Sequence, residues 1–233
     1  MTDTAYKARR NQLETYFGRT AAEKWVALTS NSPVSKIRAS VRAGRDDMRG
    51  TLLDWLPQDL SGARLLDAGC GTGMLAMEAA RRGADVTAID LSAALIQVAK
   101  ERTPHDLNGG SIRYYAGDMT DRAFGDFDYV VAMDSVIHYR LANVIDLLEG
   151  FAARTRESLI FTFAPKTPML AMMHMTGQLF PRDNRSPAIV PVAEKKMASE
   201  IAQTPGLQGF DIKHTHRISS AFYKSQAMEL ATR

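Results

Sequence analysis

From residue 64 onward, short apolar runs alternate with longer amphipathic stretches, the rhythm of strands and helices in a wound α/β sheet. The pattern predicts a strand at Arg64 to Asp67, a helix from Met74 to Arg82, a strand at Val86 to Asp90, a helix from Ser92 to Arg102 and a strand at Ile112 to Ala116. Tyr129 to Met133 and Leu159 to Phe163 are continuously apolar, as central parallel strands buried on both faces are, and a helix around Asn143 to Arg154 joins them. Phe210 to His216 and Ala227 to Ala231 read as a closing antiparallel hairpin. The fold class is therefore α/β, a doubly wound Rossmann-like sheet.

Two stretches fall outside this rhythm. Residues 1–60 read as a helical region ahead of the 61–233 domain. Within it Ser32-Pro33 is a helix start that can run to about Leu56, before Pro57. Arg38, Arg42, Arg45 and Arg49 share one face of that helix, and Ile37, Val41, Met48 and Leu52 can pack on another. The second break is at about 165–191, which holds five of the nine prolines and the run Met169-Leu170-Ala171-Met172-Met173-His174-Met175. Methionine adapts to irregular apolar surfaces, so this is a short core helix, a lid over a large flat substrate or a patch resting on a membrane. No internal repeat is present.

Composition changes the picture little. The chain is 45% hydrophobic and 24% charged, as globular domains are. No apolar run approaches the roughly 18 to 20 residues of a membrane span. The N-terminus lacks a secretory pattern, and a single cysteine, Cys70, excludes an internal disulfide. A cytoplasmic protein is expected, and Cys70 reads as a small residue filling space. A net charge of +3 is too small to argue for nucleic acid. The acid-free stretch with Lys36, Arg38, Arg42 and Arg45 is either a solvated basic face or one that meets an anion.

The chemistry concentrates after the first strand, where Asp67-Ala68-Gly69-Cys70-Gly71-Thr72-Gly73 is followed by a strand ending at Asp90. A glycine turn there allows close backbone approach to a ligand beyond the strand ends. A dinucleotide fingerprint needs G-x-G-x-x-G, but Met74 stands at the third glycine position. D-x-G-x-G-x-G followed by a strand-end acid is instead the pattern of class I methyltransferases, which bind S-adenosylmethionine. Asp90 can accept from both ribose hydroxyls, with Leu91 beside it. Asp118 ends the third strand, where it either meets the adenine amino group, with Met119 offering its amide, or caps the next turn. Asp67, Gly69, Gly71, Gly73, Asp90, Leu91, Asp118, Met119 and Asp134, after the fourth strand, are the candidate cofactor residues. The acceptor site is expected past that strand, at Val136-Ile137-His138-Tyr139, with His138 and Tyr139 the catalytic candidates. His214 and His216 share a face of a strand with no third ligand evident and read as solvent-facing.

Tyr16-Phe17 with Trp25, Val34-Ser35-Lys36-Ile37-Arg38, Arg42-Ala43-Gly44-Arg45, the glycine turn, Val136 to Tyr139, Phe163-Ala164-Pro165-Lys166-Thr167, Leu179-Phe180-Pro181 and Phe222-Tyr223 together resemble the magnesium-protoporphyrin IX O-methyltransferases of bacteriochlorophyll biosynthesis. The resemblance covers nearly the whole chain. It implies methyl transfer from S-adenosylmethionine to a propionate of magnesium-protoporphyrin IX, with S-adenosylhomocysteine as product and no protein-bound metal. It also implies magnesium chelatase's large porphyrin-binding subunit as partner, peripheral contact with a membrane, and a functional histidine matching His138. Arg38, Arg42 or Lys166 can meet the second propionate. One departure is that Thr29 stands where some relatives carry a functional tyrosine, so that role is not carried over; Tyr16 and Tyr139 are the substitutes considered. Two other readings are a small-molecule O- or N-methyltransferase with another acceptor, and a noncatalytic porphyrin- or cofactor-binding scaffold.

Overall fold

The computed structural model describes residues 3–16, 36–166, 188–220 and 222–233. The proposed helix start at Ser32-Pro33, Trp25, Thr29 and the methionine run at 169–175 lie outside the described residues. Among the described residues two helices, α1 (Asp3–Thr15) and α2 (Lys36–Asp54), precede the sheet. The alternation then runs β1 (Arg64–Ala68), α3 (Met74–Arg81), β2 (Asp85–Asp90), α4 (Ala93–Arg102), β3 (Ser111–Ala116), β4 (Phe127–Ala132), α5 (Leu141–Ala152) and β5 (Thr155–Phe163). After α6 (Glu194–Gln203), β6 (Phe210–Ser219) and β7 (Lys224–Thr232) form the closing hairpin.

The described strands make one seven-stranded sheet in the order β3-β2-β1-β4-β5-β7-β6. β1 to β5 are parallel, while β7 pairs antiparallel with both β5 and β6. Successive side chains of a strand point to opposite faces, and here both faces are covered. Leu66, Val130 and Phe161 enter one apolar layer with Leu148 and Phe151 of α5. Their neighbours Leu65, Val131 and Ile160 enter the other, with Met48 and Leu52 of α2 and Leu75 and Ala79 of α3. This two-sided burial is why the central strands read as unbroken apolar runs.

The chain reverses direction across the sheet between β1, which continues to β2 and β3, and β4, which continues to β5. In such a sheet the crevice beyond the carboxyl ends of those two strands is where ligands bind. The broken stretch has both ends on this edge. Pro165 bridges Val192, Lys166 N donates to the Val192 carbonyl at 3.0 Å, and Val190 N donates to the Ile137 carbonyl at 2.9 Å. No helix among the described residues is long and apolar enough to cross a membrane.

Candidate active site

A cavity of about 330 Å³ opens at this switch point, lined by the glycine turn, the ends of β2, β3 and β4, and residues of α1 and α2. Its first wall is backbone and short side chains. Gly69 and Cys70 donate to the Ile89 carbonyl at 2.8 and 3.0 Å, so the turn folds over β2. Gly69 has φ of 85°, and a Cβ there would sit 2.3 Å from Ser135 Cβ; a side chain would push β1 and β4 apart. The Asp90 carboxylate accepts from Gly71 N at 2.9 Å and Ser92 N at 2.8 Å, which fixes its orientation toward the cavity. Asp67 is 2% exposed, and its Oδ2, like the Ser135 hydroxyl, has no hydrogen-bond partner among the described residues. Burial, then the charge of nearby Asp90, pushes the Asp67 carboxyl up to about 7. Burial also raises Asp90, against the two amides that lower it. Two buried acids and a partnerless oxygen make this wall receptive to a ligand that carries positive charge and hydroxyl donors. The Cys70 thiol is pushed well up by burial and then by Asp67 and Asp90, which suits a space-filling residue and not a nucleophile.

The second wall is made of long side chains from distant parts of the chain. The Asp118 carboxylate accepts from Tyr6 Oη at 2.8 Å, Arg10 at 3.0 Å and its own loop through Thr120 N and Oγ1 at 2.9 and 2.7 Å. Tyr6 stacks on Tyr139 with ring centres 5.5 Å apart. Arg9 donates to the His138 carbonyl at 2.9 Å and to the Ala188 carbonyl at 2.6 Å. α1 is thereby strapped across the end of β3 and over the His138 loop. At the end of β4, Asp134 has φ of 52° and its carboxylate accepts from Arg45 at 2.5 Å, Tyr223 at 3.0 Å, Thr162 at 3.1 Å and Ser225 at 3.3 Å. That cluster ties α2, β5 and β7 to the start of the His138 loop. His138 is 7% exposed and its Nδ1 lies 3.4 Å from the Ala188 carbonyl. A carbonyl only accepts, so this contact puts a proton on Nδ1; in a neutral ring Nε2 would then be the acceptor. Burial, then the Asp118 charge, pushes the Tyr139 hydroxyl up to about 12.

Of the residues predicted from sequence, Asp67, Gly69, Gly71, Asp90, Leu91, Asp118, Met119, Asp134, His138, Tyr139 and Arg42 all line this cavity. Gly73, Arg38 and Lys166 are not in its lining. Gly73 caps α3 behind the cavity against Tyr114, while Arg38 is exposed on the first turns of α2 and Lys166 is exposed at the stem of the broken stretch. Asp118 and Asp134 reach the cavity with carboxylates already held by protein donors, which distinguishes them from Asp67. His214 and His216 are both exposed, as expected, but His214 also has partners. Its Nδ1 is 2.6 Å from the buried Glu229 and its ring stacks 5.4 Å from Trp55. Tyr16, one of the substitutes considered for the family tyrosine, is absent from the cavity lining, whereas Tyr6 is present. Tyr6, Arg10 and Leu13 were readable only as one helical face, i, i+4 and i+7; nothing local says that the face closes on residue 118. Among the described residues no cluster of acids, histidines or cysteines is arranged to hold a metal ion.

Comparison with known proteins agrees with this layout. A profile for the "Magnesium-protoporphyrin IX methyltransferase C-terminus" matches residues 132–232, and one for a "Methyltransferase domain" matches residues 65–157. The chain is 45% identical to the magnesium-protoporphyrin O-methyltransferase of Rhodobacter capsulatus, over 96% of this chain and 97% of that one. It is 28% identical to the enzyme of that name from Synechocystis, over 92% of each. The crystal structure of magnesium protoporphyrin IX methyltransferase from Synechocystis PCC 6803 with bound SAH superposes with a TM-score of 0.84 at 25% identity, covering 97% of this chain and all of that one.

Proposed function

The chain belongs to the magnesium-protoporphyrin O-methyltransferase family, and from that premise we propose how its own residues carry the reaction. A methyl group passes from S-adenosylmethionine to a propionate carboxylate of magnesium-protoporphyrin IX, giving the monomethyl ester and S-adenosylhomocysteine, on the way to chlorophylls and bacteriochlorophylls. The cofactor, when bound, supplies an electrophilic methyl group on a sulfonium. The observation that carries its placement is the meeting of three strand-end acids at one cavity, with a partnerless buried oxygen on Asp67. Asp67 faces the positive charge, Asp90 takes the ribose hydroxyls with Leu91 beside it, and Asp118 with Met119 stands at the adenine end. Gly69 and Gly71 let the backbone close on the ligand.

A propionate with a pKa of about 4.3 is ionised at neutral pH, so the acceptor needs no general base. Tyr139, with its hydroxyl held up to about 12, stays protonated and serves as the platform on which Tyr6 stacks. The work left to the protein is alignment of the carboxylate with the methyl group and exclusion of water. His138 positions the acceptor. With Nδ1 donating to Ala188, the Nε2 lone pair suits the magnesium of the substrate better than it suits a carboxylate oxygen, which is itself an acceptor. The second propionate needs a cation where it is buried. Arg42, in the cavity wall, is the best placed, with Arg38 one turn before it and Lys166 at the stem of the broken stretch.

The paired stems at Pro165 and Val192, beside the His138 loop, support the reading that the 165–191 stretch covers the substrate and that residues 1–60 belong to the same site. Delivery of the porphyrin by the chelatase large subunit, and contact of the apolar methionine run with a membrane surface, complete the proposal. The test is incubation of the purified protein with magnesium-protoporphyrin IX and S-adenosylmethionine, followed by mass spectrometry, with metal-free protoporphyrin as control. One added methyl group on the magnesium porphyrin is the expected result, and cofactor binding without product would send the search to another acceptor or a scaffold role. His138→Ala should narrow the preference for the metal-containing porphyrin. An unchanged preference would rule out a contact between His138 and the magnesium.

A further inference from the structure

Below the Asp118 loop, on the side away from the cavity, lies an arginine that sequence reading treats only as the end of a helix. Arg154 follows α5 and is 7% exposed. Its guanidinium lies over the rings of Phe127 and Phe151, 5.7 and 5.5 Å from their centres. One terminal nitrogen donates to the Asp121 carbonyl at 2.8 Å and the other to the Met119 carbonyl at 2.5 Å. Arg64 of β1 also lies over the Phe127 ring, at 5.2 Å, and donates to the Phe124 carbonyl at 3.2 Å. Residues 119 to 124 are therefore suspended through backbone carbonyls from one buried and one half-buried cation.

We propose that Arg154 is a positioning residue for the cofactor: by gripping the carbonyls of Met119 and Asp121 it fixes the loop that presents Asp118 and Met119 to the cavity, and so sets cofactor affinity more than the rate of methyl transfer. The inference rests on the reading that the adenine end of the cofactor lies at that loop. The planar fork suits the task, because two carbonyls two residues apart are met at once by two separate nitrogens; a lysine ammonium offers its donors from a single nitrogen and lacks that spread. The aromatic rings on which the fork lies restrict its rotation, so the loop inherits the rigidity of β4 and α5. Nothing in the transfer chemistry touches Arg154, which separates its effect from that of His138.

A cavity of about 470 Å³, lined by Thr120, Arg122, Asp146, Phe151 and Arg154, opens beside the guanidinium and makes a direct experiment possible. S-adenosylhomocysteine binding is measured by calorimetry for the wild-type chain, Arg154→Lys and Arg154→Ala, and turnover is measured at saturating cofactor. Loss of two hydrogen bonds from a charged donor should weaken binding by about tenfold to a hundredfold in Arg154→Ala and by less in Arg154→Lys, with turnover at saturation close to wild type. Millimolar guanidinium, entering the space left by the side chain, should restore affinity in Arg154→Ala and leave the wild-type chain unaffected. Where Arg154→Ala fails to fold, Arg154→Lys carries the comparison of affinity with turnover. Affinity equal to wild type, or turnover at saturation falling in parallel with affinity and unrescued by guanidinium, would overturn the proposal. Absence of binding by the wild-type chain would instead overturn the placement of the cofactor.

Discussion

The two walls of the cavity are built from different materials. The wall formed by β1 and β2 is local: Asp67, Gly69, Gly71 and Asp90 lie within one strand-turn-helix-strand unit and position one another through backbone amides. The facing wall is assembled over long distances, Tyr6 with Asp118, Arg9 with His138 and Ala188, Arg45 with Asp134 and Tyr223. The difference teaches where chemistry and specificity can reside. A wall made by neighbouring residues can be carried unchanged among enzymes with one cofactor, whereas a wall held by side chains from five elements can be re-made for each acceptor.

The sharpest way to break this comparison is His138→Ala. If the walls are independent, turnover should fall by about a hundredfold through loss of alignment, with S-adenosylhomocysteine affinity unchanged by calorimetry. Parallel loss of both would mean that the two walls act as one. Next in size is the Asp134 cluster. Asp134→Asn leaves Arg45 facing a neutral amide at a largely buried site and should cost about 2 to 3 kcal/mol in urea unfolding, with Tyr223→Phe costing about 1 to 2 kcal/mol.

The local wall has its own signature in pH. The folded cofactor-free protein holds the Asp67 proton up to about pH 7, whereas the ordinary value of 3.8 applies to the unfolded chain. This group's contribution to stability is therefore complete below pH 3.8 and is lost as pH rises through about 7. A bound cation favours the carboxylate, so cofactor affinity should run the other way, rising by up to about tenfold per pH unit below neutrality. Asp67→Asn should flatten both profiles, and calorimetry in buffers of different ionisation enthalpy would register the proton released. The smallest effect expected is that of Tyr6→Phe, which removes one hydrogen bond to Asp118 and should free α1 by about 1 kcal/mol. Hydrogen exchange over residues 3–16 would report it; unchanged protection would assign the strap to Arg9 and Arg10.

Legibility in the sequence follows the same division. The glycine turn, the strand-end acids and the succession of strands and helices along the chain were readable because each depends on residues a few positions apart, and strand ends fell within a few residues of their predicted places. Asp118 and Asp134 were readable as strand-end acids, but not as acceptors for Tyr6 and Arg45, because no spacing rule links residues separated by the whole sheet. Arg154 was hidden for a different reason: its partners are backbone carbonyls, which leave no trace in side-chain pattern. His214 was readable as solvent-facing but not as a partner of Glu229, a buried acid on an adjacent strand. Gly44 was quoted only as part of a motif. A Cβ there would lie 2.6 Å from the Tyr223 ring, so the helix accepts a poor helix former to admit the tyrosine.

The strap across the cavity also has a history in time. α1 lies 112 to 179 residues ahead of its partners at Asp118, His138 and Ala188, so on a growing chain they are made long after it. α2 waits longer still, since Tyr223 precedes only the final strand. These helices, made ahead of the sheet, are thus among the last elements to dock, and contacts of such sequence separation close slowly. During that interval the local wall can already form on the growing chain while the side that would hold a porphyrin stays open. The acceptor side can therefore close only after the segment carrying Tyr223 has been made.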